Sequence, residues 1–329
     1  MHSSTLLLTA LTAISPAFAA PTDNVALQKR ANFDAPDGGD VTILNYALTL
    51  EYLERKFYYE GLQNYSEKAF HEAGFKNGFY GDLLQIFDDE ESHVTFLAGA
   101  LGDSAVLEPT FSFPATTPQE FLTLSSVLEG VGVSAYLGAA GAIVDKTYLG
   151  AAASILTVEA RHSSYIRKAL GKSPYPKPYD TPLDFMAVYS LAAQFITGFP
   201  EYSKTLPFKA FPALSVAASG DPSGAFKAGY SCLTFPGAFA NALTAGLVEV
   251  DTPVYAVFYS GLDTYYVPTF VQGNNDVKVL SIPGAGYSSP DQLAPLGQVY
   301  VVLSTASGTD TMASDENIIS GVGIIEVVA

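Results

Sequence analysis

The sequence predicts an α+β protein: a four-helix bundle with a fifth helix, followed by an antiparallel β-sandwich-like domain. Three observations carry this reading. From Asp40 to about Ile196 apolar residues recur every three or four positions, the period of helices that bury one face. After Pro200 the apolar runs become short, β-branched and aromatic, with turn residues between them, which is the pattern of a sandwich or barrel. The 329 residues, 48% of them hydrophobic, suffice for about two domains with full cores.

The chain opens with an apolar run from Thr5 to about Ile14, followed by Ala17-Phe18-Ala19. A short apolar stretch ending in A-x-A predicts a secretory leader over residues 1–19. Lys29-Arg30 resembles a processing site that would end a pro-segment over 20–30. A solvated tail is the other reading of that pair. Beyond it the expected divisions are a helical domain over 31–200, a linker over 201–230 and a β-domain over 231–329.

The first helix is expected from about Val41 to Glu60, with Asp40 as N-cap and Gly61 just past its end. The second runs from about Tyr80 to Leu101 and stops at Gly102, after one short helical turn around His71. Thr117-Pro118-Gln119-Glu120 is a capping box with Pro at the first helical position, so a third helix begins there and reaches about Ala142. A tight turn near Val144-Asp145 leads to a fourth helix that ends before Gly171. Prolines 174, 176, 178 and 182 make an extended connector, and Asp184 to Ile196 reads as the fifth helix. Strands are expected over 254–259, 265–270, 277–282, 299–303 and 318–328.

Charge narrows the function. Sixteen Lys and Arg stand against 33 Asp and Glu, a net charge of −17. No basic stripe is available to release counterions from phosphates, which excludes nucleic acid and disfavours anionic membranes. Past the leader, no 18 uninterrupted apolar residues suggest a membrane span. The single Cys232 excludes an internal disulfide and thiolate metal motifs. It reads as a small buried hydrophobe, or as a thiol free to pair between molecules. Asn64-Tyr65-Ser66 is an acceptor for N-glycosylation on a secretory route.

The chemistry concentrates in the helices. Glu90 and His93 stand at i and i+3 in the second helix, and Glu159 and His162 repeat that spacing in the fourth. Glu51 is central in the first helix and Glu129 in the third. Each falls in a slot that the apolar period assigns to the core, as in Ala152, Ile155, Glu159, His162, Ile166. At 1.5 Å per residue Glu51 lies about 14 Å from the end of its helix and Glu90 about 15 Å from the start of the next. Glu129 and Glu159 lie about 22 Å on either side of the turn near Val144. Antiparallel hairpins therefore bring each Glu level with its partner. Buried carboxylates need a cation or each other, and two divalent metals would neutralise four of them. Glu54 competes with Glu51 for the inward position, while Glu91 and His71 read as exposed. Tyr58 and Tyr136 follow Glu51 and Glu129 by seven residues. They read as hydrogen-bond or electron donors to the site, or as plain core aromatics.

One Glu from each of two helices plus E-x-x-H from each of two others is the ligand set of dinuclear carboxylate proteins. The segments Leu48-Thr49-Leu50-Glu51-Tyr52-Leu53-Glu54, Glu90-Glu91-Ser92-His93-Val94, Val133-Ser134-Ala135-Tyr136-Leu137-Gly138-Ala139-Ala140 and Thr157-Val158-Glu159-Ala160-Arg161-His162 resemble the ferritin-like family. They are most similar to its secreted fungal branch, associated with stress response and late sexual development and related to plant desiccation proteins. Phe199 stands where the resemblance implies a cysteine before Pro200.

The oxygen-rich set with two imidazoles suits Fe or Mn, with Zn a lesser alternative. The resemblance implies oxidase, peroxidase or catalase-like activity on O₂ or peroxide. Three classes remain open: such an enzyme acting outside the cell; a metal-binding or storage protein; and a structural, cell-wall or spore protein whose site is stabilising or vestigial. Tyr255, Tyr259, Tyr265 and Tyr266 in the β-region read as cross-strand core, with sugar stacking as the alternative.

Overall fold

The computed structural model describes residues 33–217, 220–221 and 224–328. The expected leader and the Lys29-Arg30 pair lie outside them. The bundle is built from α1 (Gly39–Asn64), α3 (Phe79–Leu101), α4 (Pro118–Ala139) and α5 (Lys146–Ala169), with the short α2 (Glu67–Glu72) between the first two. α1 packs along α3 and α4 along α5, so two antiparallel hairpins face each other across the core. The long connection over 102–117 joins them.

Several ends differ from the sequence reading for identifiable reasons. Asp40 is not the N-cap of α1; Gly38 takes that place with φ 89°. Asp40 instead accepts the N–H groups of Val144 and Asp145 at 2.9 and 2.7 Å, tying the start of α1 to the α4–α5 turn. Gly61 does not end α1, which continues to Asn64. It is glycine because the Phe121 ring lies against it, 2.0 Å from where a Cβ would stand. Thr117 caps α4 by accepting the Glu120 N–H at 3.1 Å. The Glu120 carboxylate reaches back one residue further than a capping box requires, to the Thr116 N–H at 2.9 Å. Asp145 caps α5, and residues 140–142 close α4 as a 3₁₀ turn.

Asp184 caps α6 (Phe185–Ala192), accepting the Ala187 N–H at 2.7 Å. This fifth helix stops four residues earlier than expected. Ile196–Gly198 leaves it as strand β2, paired antiparallel with β1 (Thr110–Phe111) in the crossover. α6 sits close on the bundle at Gly138, where an added Cβ would lie 1.8 Å from the Leu183 carbonyl oxygen.

The C-terminal region holds two sheets. The larger has the order β3 (Phe226–Lys227), β10 (Gly323–Val328), β9 (Gly297–Ser304), β5 (Tyr255–Ser260), β6 (Asp263–Pro268); the smaller is β4 (Leu233–Phe235), β8 (Val277–Val279), β7 (Phe270–Val271). All pairs are antiparallel except β3 with β10. That pair shows strand structure inside the stretch expected as linker. α7 (Ala238–Thr244) also interrupts the strands.

Alternate residues of the large sheet enter two different cores. Val257, Tyr259, Tyr300 and Val302 join the core of the bundle. Ala256, Phe258, Val299, Val301 and Leu303 join Leu233, Phe235, Val277 and Val279 of the small sheet. The sheet is therefore the middle of three layers. Burial on both faces explains why its strands read as continuous apolar runs instead of alternating ones.

Polar ties cross the first boundary. The Tyr300 hydroxyl donates to the Gly130 carbonyl at 2.7 Å. Arg167 of α5 makes two bonds to Glu326 of β10, at 3.0 and 2.7 Å. Tyr259 and Tyr265 are buried and Tyr266 is partly so, as cross-strand core requires. Cys232 is exposed, against expectation. It precedes β4, whose Leu233 and Phe235 take the inward positions. Among the described residues one helix, Pro118–Ala142, is long and apolar enough to cross a membrane, with mean hydropathy 1.3, but 72% of its most apolar 18-residue stretch is buried in the protein.

Candidate metal centre

The four bundle helices bring all six expected ligands to one place. Glu51, Glu90, Glu129 and Glu159 are fully buried, and His93 and His162 nearly so. Their ligand atoms form two overlapping sets, each within 4.8 Å: Glu51, Glu90, His93 and Glu159; and Glu90, Glu129, Glu159 and His162. Glu90 and Glu159 belong to both. Glu51 with His93 marks one half and Glu129 with His162 the other.

His93 Nδ1 lies 3.1 Å from Glu51, 3.0 Å from Glu90 and 3.4 Å from Glu159. One ring nitrogen carries at most one proton, so it cannot satisfy three carboxylates from three helices. His162 Nδ1 is 3.0 Å from Glu90 Oε1 and 3.4 Å from Glu129 Oε2. Those distances suit hydrogen bonds but the directions do not, and His162 Nδ1, Glu90 Oε1, Glu129 Oε2 and both Glu159 oxygens have no hydrogen-bond partner. Lone pairs that converge on common points without donors between them are costly when buried. The donor set therefore fits a pair of divalent cations.

Outer contacts hold the ligands. The Tyr136 hydroxyl donates to Glu51 Oε1 and the Tyr58 hydroxyl to Glu129 Oε1, and Tyr58 also meets Ser125 at 2.5 Å. Both tyrosines lie on the site, one per half. His162 Nε2 stands 3.1 Å from Asp89 Oδ2. A proton on Nε2 there leaves the Nδ1 lone pair facing the centre, the form a metal needs.

Electrostatics express the crowding. Burial, with Glu90 nearby, raises Glu51 to about 7. Burial pushes Glu159 well up and Glu129 up, against the opposing pull of the histidines. Burial would raise Glu90 too, but His162 and His93 hold it at about 2. Burial opposes charge on His162, yet Glu129 and Glu90 raise it to about 11. His93 is raised well above its ordinary value by Glu159, Glu51 and Glu90, against the same opposition from burial. Without cations, protons on the two imidazoles stand in their place.

Two residues enlarge the set. Glu54 is not an alternative to Glu51; both are buried. Burial and the charges of Glu159, Glu90, Glu51 and Glu129 push Glu54 well above the carboxylate range, toward its neutral form. Its place one turn along the same helical face is legible in the i, i+3 spacing. Asp89, next to Glu90, carries no periodic signal, because a long side chain on α5 reaches across to it. Glu91 and His71 are exposed as expected, and Glu91 pairs with Arg55 at 3.4 Å.

Comparison with known proteins bears on this arrangement directly. Residues 39–172 match the family model described as the ferritin-like domain. The helical part of the chain is thus similar to a ferritin-like domain, over about four-tenths of the chain's length. The chain is also similar to protein rds1 of Schizosaccharomyces pombe, with 24% identity over 80% of this chain and 74% of the relative. The matched domain spans α1 to α5 and contains every ligand of the two sets. The alignment with rds1 is longer than that domain.

Proposed function

We propose that the protein is a secreted ferritin-like oxidoreductase whose dinuclear Fe or Mn centre acts on O₂ or peroxide, in a setting of stress or development. The observation that carries this reading is the sharing of Glu90 and Glu159 between two four-ligand sets. Glu51 and His93 would hold one ion, Glu129 and His162 the other, with Glu90 and Glu159 in common. When bound, such a pair supplies redox equivalents and open positions for a small oxidant.

The chain's own residues do the rest. Tyr136 and Tyr58 fix the outer oxygens of Glu51 and Glu129, so each carboxylate keeps one oxygen facing inward. Asp89 orients His162. Apolar packing around the site, with Leu48, Leu122 and Ile166 fully buried, excludes bulk water and strengthens each charge interaction inside. Glu54, held toward its neutral form, keeps a proton next to the centre. Secretion, and association with a cell wall, rest on the leader expected from the sequence and on the resemblance, and belong to the same proposal.

Metal analysis of protein produced with added Fe or Mn, followed by peroxide turnover, tests this. Two ions per chain with turnover is the expected result. A well-folded protein that takes up no metal contradicts it. If the ions bind and Glu90→Ala with His162→Ala lowers thermal stability while neither form turns over peroxide, the site is structural and the redox reading fails.

A further inference from the structure

Beside the carboxylate centre lies a second feature that the metal chemistry does not use. A cavity of about 280 Å³ sits between α1, α4, the end of α6, the segment around Leu214 and β10. Its walls are mostly apolar, with Leu50, Val131, Leu191, Leu214, Val322 and Ile324 among them. Exposed Gln194 lines it near the surface. The titratable group in the lining is Glu54.

Glu54 is 4% exposed, and its Oε2 is buried with no hydrogen-bond partner. A buried acceptor without a donor is expensive, and nothing apolar in the walls can serve it. Gly132 lines the same cavity. A Cβ there would stand 2.8 Å from Glu159 Oε2 and 3.1 Å from Glu54 Oε1. The cavity is thus separated from the carboxylate centre by one residue that lacks a side chain.

We infer that this cavity binds a small apolar alcohol or phenol, whose hydroxyl pairs with the carboxyl group of Glu54 in the cavity wall. Apolar walls select the hydrocarbon body, and the one carboxyl group among them selects the hydroxyl, which can both donate and accept. A cavity of about 150 Å³ holds a benzene ring, so this one accommodates roughly a two-ring molecule. The site rests on walls and an acceptor that are present with or without metal. Its failure would leave the metal reading untouched, and failure of the metal reading would leave the pocket standing.

The test is fluorescence titration of the full chain with 2-naphthol, and displacement of 2-naphthol by naphthalene, which lacks the donor. Saturable 1:1 binding is expected, with 2-naphthol about tenfold tighter than naphthalene, the weight of one hydrogen bond. Glu54→Leu should bring the two ligands to equal affinity, and Ala192→Phe, which fills the cavity from α6, should abolish both. Diffraction from the wild-type protein with 2-naphthol should show the ring against Val131 and Leu191, which settles the matter even where a variant folds poorly. No saturable binding by the wild type, unchanged binding by a folded Ala192→Phe, or 2-naphthol no tighter than naphthalene would overturn the inference.

Discussion

His162 of α5 reaches across the bundle and meets Asp89 of α3, Nε2 to Oδ2, at 3.1 Å. Asp89 is the residue before Glu90, which His162 approaches with its other nitrogen at 3.0 Å. Two consecutive acids thus stand at the two nitrogens of one ring, and Asp89 alone is hydrogen-bonded to it. Replacing Asp89 by Ala frees the tautomer and the ring orientation. Metal affinity at the half formed by Glu129 and His162 should fall about 10–100-fold, while the half formed by Glu51 and His93 is little affected. A titration followed by metal stoichiometry separates the two. Equal weakening of both ions would contradict the assignment.

Proton release gives a second expectation. In the metal-free protein His162 is raised to about 11 and His93 is raised well above its ordinary value. At pH 7 both imidazoles carry protons that a metal must displace. Loading two ions should release at least two protons, read by calorimetry in buffers of different ionisation enthalpy. Release of none would mean that the histidines are not ligands.

Stability against pH follows with a definite sign. Each raised histidine stabilises the metal-free fold below its unfolded value of 6.5 and loses that contribution as pH rises toward about 11. Glu51, raised from 4.5 to about 7, holds its proton longer folded than unfolded, so stability falls between those values as well. Glu90 acts oppositely: its contribution is present above 4.5 and lost as pH falls through about 2. Melting curves of metal-free protein should show a falling Tm from pH 5 to 9, and the gain on adding metal should grow over that range. A metal-free Tm that climbs steadily across it would contradict the account.

The join between layers is testable at Arg167. Its guanidinium is buried and held by Glu326, which also meets Lys172 at 3.2 Å. Burial would raise Glu326, but Arg167 and Lys172 hold it down. Glu326→Ala leaves Arg167 buried without its carboxylate and should cost about 3 kcal/mol in a urea melt. A loss below about 0.5 kcal/mol, the surface value, would show that the pair does not tie the sheet to the bundle.

Two helical glycines should respond with opposite signs. At Gly61 a Cβ would meet the Phe121 ring at 2.0 Å, while at Gly99 on α3 nothing lies within 4 Å. Gly61→Ala should destabilise by about 1–3 kcal/mol through overpacking. Gly99→Ala, exposed on its helix, should stabilise by up to about 1 kcal/mol. Thermal melts of the two variants decide it.

The contrast between those glycines shows what a sequence can carry. Periodicity located Glu51, Glu90, Glu129 and Glu159 on inward faces, and depth along antiparallel helices levelled them, because both are local properties of a helix. Gly61 reads as a helix stop locally; only the arrival of Phe121 from another helix makes it a packing site. Ile196 continued the apolar period of α6, and its strand pairing with Phe111 depends on a segment 85 residues away. Asp89 and the cavity beside Glu54 arise from elements that meet only in the folded chain. The same holds for the β-region. Its runs announced strands, yet nothing local says that one face of β5 and β9 packs on the bundle and the other on a second sheet.

The central claim is that Glu90 and Glu159 are shared by two metal ions. Elemental analysis of protein produced with Fe or Mn, together with an anomalous difference map, tests it most directly. The account predicts two ions per chain and two anomalous peaks, one between Glu51 and His93 and one between Glu129 and His162, with Glu90 and Glu159 reaching both. A folded protein with no peak among these four glutamates would contradict it.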